Sequence, residues 1–161
     1  MPDPKRNATI YYLEDGFNPQ KGLNGRRMAG QSFLKGFFDH ADFDEFIAMS
    51  NTKKRLDAFE QIAKKYGVSK PVKGFLSSAP QPLHQMGALF IPTPNYHKQA
   101  WQRLHFGLES YSLCGLTHTI SSPAVMDVLF NLRVSPQAEW DAIICTSRTV
   151  HSEMQYLFET A

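Results

Sequence analysis

The sequence predicts an α/β protein with a Rossmann-like fold, in which a mostly parallel sheet carries helices on both faces. Three observations predict this fold. Five or six short runs of β-branched and aromatic residues recur along the chain, and a helical pattern of apolar positions follows most of them. Continuous apolar runs are typical of strands that are covered on both faces. Strands that alternate with helices favour a parallel sheet joined by right-handed crossovers.

The elements alternate from one end of the chain to the other. The predicted strands cover residues 8–13, 44–49, 72–76, 87–91, 111–116 and 140–145. The predicted helices cover residues 26–38, a segment from Ser50 to Gly67, residues 96–104, a segment that begins at Ser122, and residues 148–158. The segment from Glu14 to the first helix is predicted as a loop, as is most of the proline-bearing segment 68–85.

Helix ends are indicated by residues with known capping preferences. Ser50 and Ser122 are expected to cap the helices that follow them, and Pro123 suits a first helical position. Gly67 is expected to end the second helix. Thr146 and Ser147 form a predicted tight corner, in which Ser147 caps the last helix.

Length and charge narrow the classes of function. The 161 residues suit a single domain, 1–161, with a real hydrophobic core. The 17 basic and 15 acidic residues are scattered, so no nucleic-acid or anionic-membrane partner is expected. The basic cluster at residues 53–55 is interpreted as a solvated helix face. No signal peptide or transmembrane segment is predicted, which makes the cytoplasm the expected location.

Cysteine and histidine spacing gives no metal or covalent-catalysis signal. Cys114 and Cys145 lie in apolar runs and are interpreted as small buried hydrophobic residues. The histidines other than His118, at positions 40, 84, 97, 105 and 151, show no ligand spacing with cysteine or acidic residues, so no metal and no cofactor is predicted. A Gly-x-Ser-x-Gly nucleophile turn is also absent from the sequence.

Ligands of open α/β sheets bind outside the carboxyl ends of the strands, and that rule selects the candidate site residues. They are Glu14 and Asp15, the segment with Gly22, Gly25, Arg26 and Arg27, residues 92–95, the corner Thr117, His118 and Thr119, and the corner Thr146, Ser147 and Arg148.

Each candidate has a functional and a structural interpretation. The glycine-arginine segment can direct backbone N–H groups and guanidinium groups at a phosphate, or be a flexible loop flanked by exposed arginines. His118 can hydrogen-bond a substrate hydroxyl or a developing charge, or be a structural histidine. Ser147 can be a helix cap alone, or part of an anion or sugar site.

Two stretches go beyond generic patterning: YSLCGLTHTISS at residues 111–122 and WDAIICTSRTV at residues 140–150. Both resemble bacterial group 1 (family 4) glycosyltransferases, in which one strand ends in a Thr-His corner and a later strand ends in a Thr-Ser or Val-Ser corner. The segment MGALFIP at 86–92 with Ala100 and Trp101, and GRRMAG at 25–30 with Phe33 and Leu34, also resemble this group.

This resemblance implies a GT-B architecture, in which an N-terminal lobe holds the acceptor and a C-terminal lobe holds the nucleotide-sugar. The chain resembles the N-terminal lobe. His118 matches the catalytic histidine of the cleft, and the segment 22–27 matches the loop that approaches donor phosphate and acceptor. Thr117, Thr119, Ser147 and Arg148 are the further expected substrate-binding residues. Retaining transfer from a nucleotide-sugar to a carbohydrate or other acceptor, without a bound metal, is the implied reaction.

The resemblance also implies a C-terminal donor-binding lobe with basic residues and a Glu-x7-Glu element, and the 161 residues do not contain it. Negligible transferase activity is therefore expected from these residues alone. Two other hypotheses remain. One is a non-catalytic interaction or regulatory domain, with exposed aromatic residues such as Tyr96 and Trp101, and the other is a stand-alone nucleotide-binding protein of flavodoxin-like shape.

Overall fold

The computed structural model describes residues 7–17, 25–117 and 123–160, apart from the side chains of Arg26 and Ala124. The strands are β1 (Ala8–Tyr11), β2 (Phe46–Ser50), β3 (Val72–Leu76), β4 (Ala88–Ile91), β5 (Ser112–Leu116) and β6 (Ala142–Ile144). The α-helices are α1 (Glu14–Phe17), α2 (Gly25–His40), α3 (Lys53–Lys65), α4 (His97–Arg103), α5 (Pro123–Arg133) and α6 (Arg148–Thr160). A 3₁₀-helix covers Gln81–Gln85.

The six strands of the described ranges form one sheet in the order β3-β2-β1-β4-β5-β6, and every neighbouring pair is parallel. This is the strand order of the Rossmann fold. Strands β1 to β3 follow one another toward one edge of the sheet, and β4 to β6 follow one another toward the other edge, so the order reverses between the neighbouring strands β1 and β4. The predicted α/β class is confirmed. The flavodoxin-like shape is wrong, because that fold has the strand order 2-1-3-4-5, while the nucleotide-binding role of the same hypothesis stays a prediction.

The sheet separates two hydrophobic cores, because successive residues of a strand point to opposite faces. On one face, Phe90 of β4 packs in a cluster with α2 and α3, and its ring stacks on Phe33 with a centroid distance of 3.6 Å. On the other face, Leu89 and Ile91 pack in a cluster that includes buried residues of α4, α5 and α6. The prediction of helices on both faces is therefore confirmed.

The start of the chain differs from the prediction in one element. The predicted loop at Glu14 is instead the single-turn helix α1, and β1 ends at Tyr11 rather than at residue 13. Helix α1 packs closely on α2, where a Cβ atom added to Gly30 would clash with the carbonyl oxygen of Gly16. Residues without side chains at this contact allow the close approach of the two backbones.

The predicted cap of α3 is also wrong. Ser50 is the last residue of β2, is fully buried, and donates from its hydroxyl to the carbonyl oxygen of Tyr12 at 2.7 Å. Thr52 caps α3 instead, accepting from the backbone N–H of Arg55 at 3.4 Å. Gly67 does end the helix, as predicted, and its φ of 75° is in the left-handed region that glycine adopts without strain.

A buried ion pair holds the amino ends of β5 and β6 together. The guanidinium of Arg103 binds both carboxylate oxygens of Asp141, at 2.6 and 2.7 Å, and the two side chains are 0% and 3% exposed. Arg103 also donates to the carbonyl oxygens of Tyr111 and Pro136, each at 3.0 Å. Asp141 accepts from two backbone N–H groups, those of Leu113 and Ala138, each at 2.8 Å. Tyr111, Leu113 and Asp141 lie at the amino ends of β5 and β6, so this ion pair is at the edge of the sheet opposite the carboxyl ends of the strands.

No helix within the described ranges combines the length and the apolar composition that crossing a membrane requires.

Candidate functional site at the carboxyl edge of the sheet

The corners after β4, β5 and β6 meet at one edge of the sheet. Leu116 pairs with Ile144 at the end of β5 and β6, and the backbone N–H of Thr117 donates to the carbonyl of Ile144 at 2.9 Å. The N–H of Leu116 donates to the carbonyl oxygen of Thr93 at 3.4 Å, which joins the corner after β4 to the same edge. The structure thus brings Thr117 beside the segment that leads to Ser147.

Thr117 has a structural role in this corner. It is fully buried, and its hydroxyl also donates to the carbonyl oxygen of Ile144, at 3.2 Å. A substrate hydroxyl would have to compete with that bond, so the predicted substrate contact of Thr117 stays a prediction. His118 and Thr119, which continue the corner, lie outside the described residues, as do Gly22 and the side chain of Arg26.

Ser147 and Arg148 begin the last helix at this edge. The Ser147 hydroxyl accepts from the backbone N–H of Val150 at 3.2 Å, which confirms the predicted cap. Arg148 is exposed and is the first residue of α6. Both side chains are therefore open to solvent at the carboxyl end of β6, and their substrate-binding roles stay predictions.

At the end of β1, the glycine-arginine segment leads into α2. Gly25 is the first residue of α2 and has open space where a Cβ would stand. Arg27 is not an exposed arginine: its side chain is 15% exposed and forms an ion pair with Asp15 at 2.8 Å. Its Nε also donates to the Asp15 carbonyl oxygen at 3.2 Å. The formation of α1 places Asp15 within reach, so Arg27 ties α2 to α1.

Tyr12 is a residue that the sequence argument missed. Because the first strand was expected to continue to residue 13, the strand-end rule began at Glu14, whereas β1 ends at Tyr11 and Tyr12 is the first residue after it. Tyr12 is fully buried, and its hydroxyl has no hydrogen-bond partner among the described residues. Burial raises the pKa of this phenol well above its usual range, and the nearby charge of Glu14 raises it further. Only the observed end of β1 brings Tyr12 into the set of residues that the strand-end rule selects.

The two aromatic residues of the interaction-domain hypothesis have different environments. Tyr96 is 3% exposed and covers Gly115 of β5, where an added Cβ would lie 2.9 Å from its ring. Trp101 is 54% exposed on α4. The expectation of an exposed Tyr96 is therefore wrong, because the missing side chain at Gly115 makes room for the ring, while that of an exposed Trp101 is confirmed.

Metal-ligating and thiol groups are dispersed. Within residues 7–17, 25–117 and 123–160, no group of three or more His, Cys, Asp or Glu side chains is arranged to hold a metal ion. Cys114 and Cys145 are free thiols and are partly buried rather than buried. Burial raises the pKa of the Cys114 thiol, which favours the protonated and less nucleophilic form.

No protein-family model, curated protein or solved structure matches this chain. The Rossmann-like fold therefore rests on the sheet order described above, and the glycosyltransferase resemblance rests on the sequence motifs.

Proposed function

We propose that the chain is the N-terminal, acceptor-side lobe of a retaining glycosyltransferase of GT-B architecture. It would help to move a sugar from a nucleotide-sugar to a carbohydrate or other acceptor. One observation carries the proposal: the two motifs of the resemblance, at residues 111–122 and 140–150, contain the neighbouring parallel strands β5 and β6, whose carboxyl ends lie side by side at one edge of the sheet. Ligands of Rossmann-like folds bind at that edge.

The proposed roles follow the positions of the motif residues. His118 is the proposed catalytic residue, whose imidazole hydrogen-bonds the transferring sugar or stabilises developing charge. The proposed substrate contacts come from the two neighbouring corners. They are Thr117 and Thr119 after β5, and Ser147 and Arg148 after β6. Gly25 and Arg26 are the first two residues of α2, and together with Gly22, which precedes them in the sequence, they are proposed to approach the donor phosphate.

Substitution of the histidine tests the catalytic role. In the longest natural reading frame that contains these residues, His118→Ala is expected to lower turnover by about 100-fold, the scale of one lost electrostatic contact to the transition state. The melting temperature should change little. Sugar transfer from a panel of nucleoside diphosphate sugars and thermal unfolding would be measured on the same preparations. His105→Ala, which alters an exposed histidine after α4, is the matched control. A parallel loss of stability and turnover would make His118 a structural residue.

The requirement for a donor-binding lobe is tested separately. The 161 residues alone are expected to give negligible transfer, because a lone lobe cannot clamp a nucleotide-sugar on both sides. A robust rate from these residues would contradict this expectation. Coding DNA that continues in frame beyond codon 161 with a Glu-x7-Glu element would favour the enzyme.

An interaction or regulatory domain without catalysis is the alternative proposal. The observation that favours it is the exposure of large apolar side chains on α4, α5 and α6: Trp101, Phe130 and Tyr156 are 54%, 56% and 63% exposed. If a partner binds this surface, the Trp101→Ala variant should no longer bind it. Under the transferase proposal, the same variant should retain transfer.

A further inference from the structure

The outer edge of β6 is an open edge of the sheet. β6 is the last strand in the sheet order, so no strand of the described residues pairs with its outer side. Its sequence, Ala142–Ile144, contains neither a charged residue nor a proline. The strand at the opposite edge, β3, follows Pro71 and contains Lys73, two residue types that protect exposed edges in native proteins. β6 lacks this protection and is therefore suited to pairing with another strand.

The backbone of Ile143 faces this open edge. The carbonyl oxygen of Ile144 accepts from the N–H of Thr117 on the β5 side, at 2.9 Å. Successive residues of a strand direct their N–H and C=O groups to opposite sides, so those of Ile143 point outward. In an antiparallel pair, two directly opposite residues exchange both of their backbone hydrogen bonds. Ile143 is therefore placed to form such a pair with the same residue of a second copy.

The side chains of β6 fit the same antiparallel arrangement. Ile143 packs against the core that α4, α5 and α6 cover, so Ala142 and Ile144 point to the other face of the sheet, where both are exposed. When Ile143 stands opposite its own copy, Ala142 of each chain stands opposite Ile144 of the other. Ile144 is 40% exposed, and these two cross-strand contacts would remove apolar surface from water.

Helix α6 lies beside the open edge and has charges that complement those of its own copy. A groove of about 380 Å³ opens between β6 and α6, and His151, Gln155 and Glu159 line it from successive turns of the helix. A twofold axis at Ile143 makes α6 antiparallel to its copy, an arrangement that the helix dipoles favour. With Gln155 near this axis, His151 of each helix faces Glu159 of the other. A second copy therefore supplies a carboxylate opposite each imidazole.

We propose that the β6 edge and the α6 stripe of His151, Gln155 and Glu159 form an interface with a second copy of this chain, in which the two sheets join antiparallel through β6. An unrelated strand could pair with the backbone of β6, but only a second copy matches both ends of the α6 stripe by symmetry. The proposal rests on neither of the proposed functions. A monomeric chain can transfer sugar, and a dimeric chain can lack that activity.

The mass of the full chain in solution tests the proposal. Analytical ultracentrifugation at about 100 μM should give twice the chain mass of 18.3 kDa, because modest interfaces have micromolar dissociation constants. Ala142→Lys places a charge opposite Ile144 of the second copy and should weaken the dimer by at least about 10-fold. Val134→Lys is the matched control: it alters a 74% exposed residue directly after α5, outside the groove, and should leave the mass unchanged.

Cross-linking tests the position of the twofold axis. Gln155→Cys, combined with Cys114→Ala and Cys145→Ala, should form a disulfide between two chains on mild oxidation, because residue 155 lies next to its own copy. Glu153→Cys in the same background alters the opposite side of α6 and should not. A chain that stays monomeric overturns the proposal, whether its β6 edge is free or covered by another strand of the same polypeptide. A dimer that Ala142→Lys does not weaken, or that cross-links through residue 153 and not 155, also overturns it.

Discussion

Arg103 is the largest fully buried side chain among the described residues, and no pattern in the sequence indicates its burial. The apolar positions that marked this helix in the sequence are Tyr96, Ala100, Trp101 and Leu104. Trp101 and Leu104 are 54% and 44% exposed, whereas Arg103 is 0% exposed. Hydropathy ranks arginine as a surface residue, and only the position of Asp141, 38 residues further along the chain, makes its burial possible.

Asp141→Asn should lower the free energy of unfolding by about 3–5 kcal/mol, because the substitution leaves the Arg103 guanidinium buried without a counter-charge. Urea unfolding measures this loss. Glu60→Gln is the control, since the Glu60–Lys64 pair is at the surface of α3 and such a pair contributes at most about 0.5 kcal/mol. If the two variants lose similar stability, then the buried pair is not the clamp between β5 and β6 that its geometry indicates.

At the scale of the element, the sequence predicts helices more reliably than their contacts. Ser50 and Thr52 are both good caps by residue type, and the choice between them depends on β2, which includes Ser50 and buries it against Tyr12. In the same way, nothing local shows that Glu14–Phe17 is helical. Helix α1 is only four residues long, so it depends on packing against α2 and not on helix propensity.

Alanine substitutions at two glycines of α2, Gly30 and Gly36, distinguish the effect of close packing from the effect of helix propensity. Gly30→Ala should destabilise the protein by more than about 1 kcal/mol, because the added methyl group clashes with the backbone of Gly16 in α1. Gly36→Ala is the matched control in the same helix. Its Cβ would meet no atom within 4 Å, so it should stabilise the protein by about 0.5–1 kcal/mol through helix propensity. Chemical denaturation of both variants measures the difference, and equal effects would contradict the close contact of α1 and α2.

At the scale of the whole molecule, buried tyrosines make the stability depend on alkaline pH. Burial is the main cause that raises the pKa of Tyr12, Tyr96 and Tyr111 above the usual value of 10.0, and the pKa of Tyr111 reaches about 12. The folded state therefore keeps these protons after the unfolded state has begun to lose them. Stability should be insensitive to these groups below pH 10 and should fall above it.

Tyr111→Phe tests this linkage. Each such tyrosine contributes a slope of up to about 1.4 kcal/mol per pH unit, so the variant should lose stability less steeply between pH 10 and pH 12. The free energy of unfolding would be measured by urea denaturation from pH 8 upward for both proteins. Parallel curves for the variant and the unaltered protein would show that Tyr111 ionises alike in the folded and unfolded states.

The sequence identified some residues of the candidate site correctly and missed others. The strand-end rule selected Thr117 and Ser147 correctly as residues at the carboxyl edge, because it needs only the approximate end of each strand. It could not find Tyr12, because the hydropathy pattern carried the first strand two residues too far. It also could not foresee that Arg27 would pair with Asp15, since that contact depends on how α1 folds.

The alternation of apolar runs and helical patterns by itself determined that this protein is an α/β fold with a parallel sheet, because strand and helix periodicity are local properties of the chain. The tertiary structure alone decided the strand order and the meeting of the β5 and β6 corners. It also decided the burial of Arg103 and the unpaired hydroxyl of Tyr12. Each of these depends on contacts and solvent exclusion between residues far apart in sequence, which no local pattern encodes.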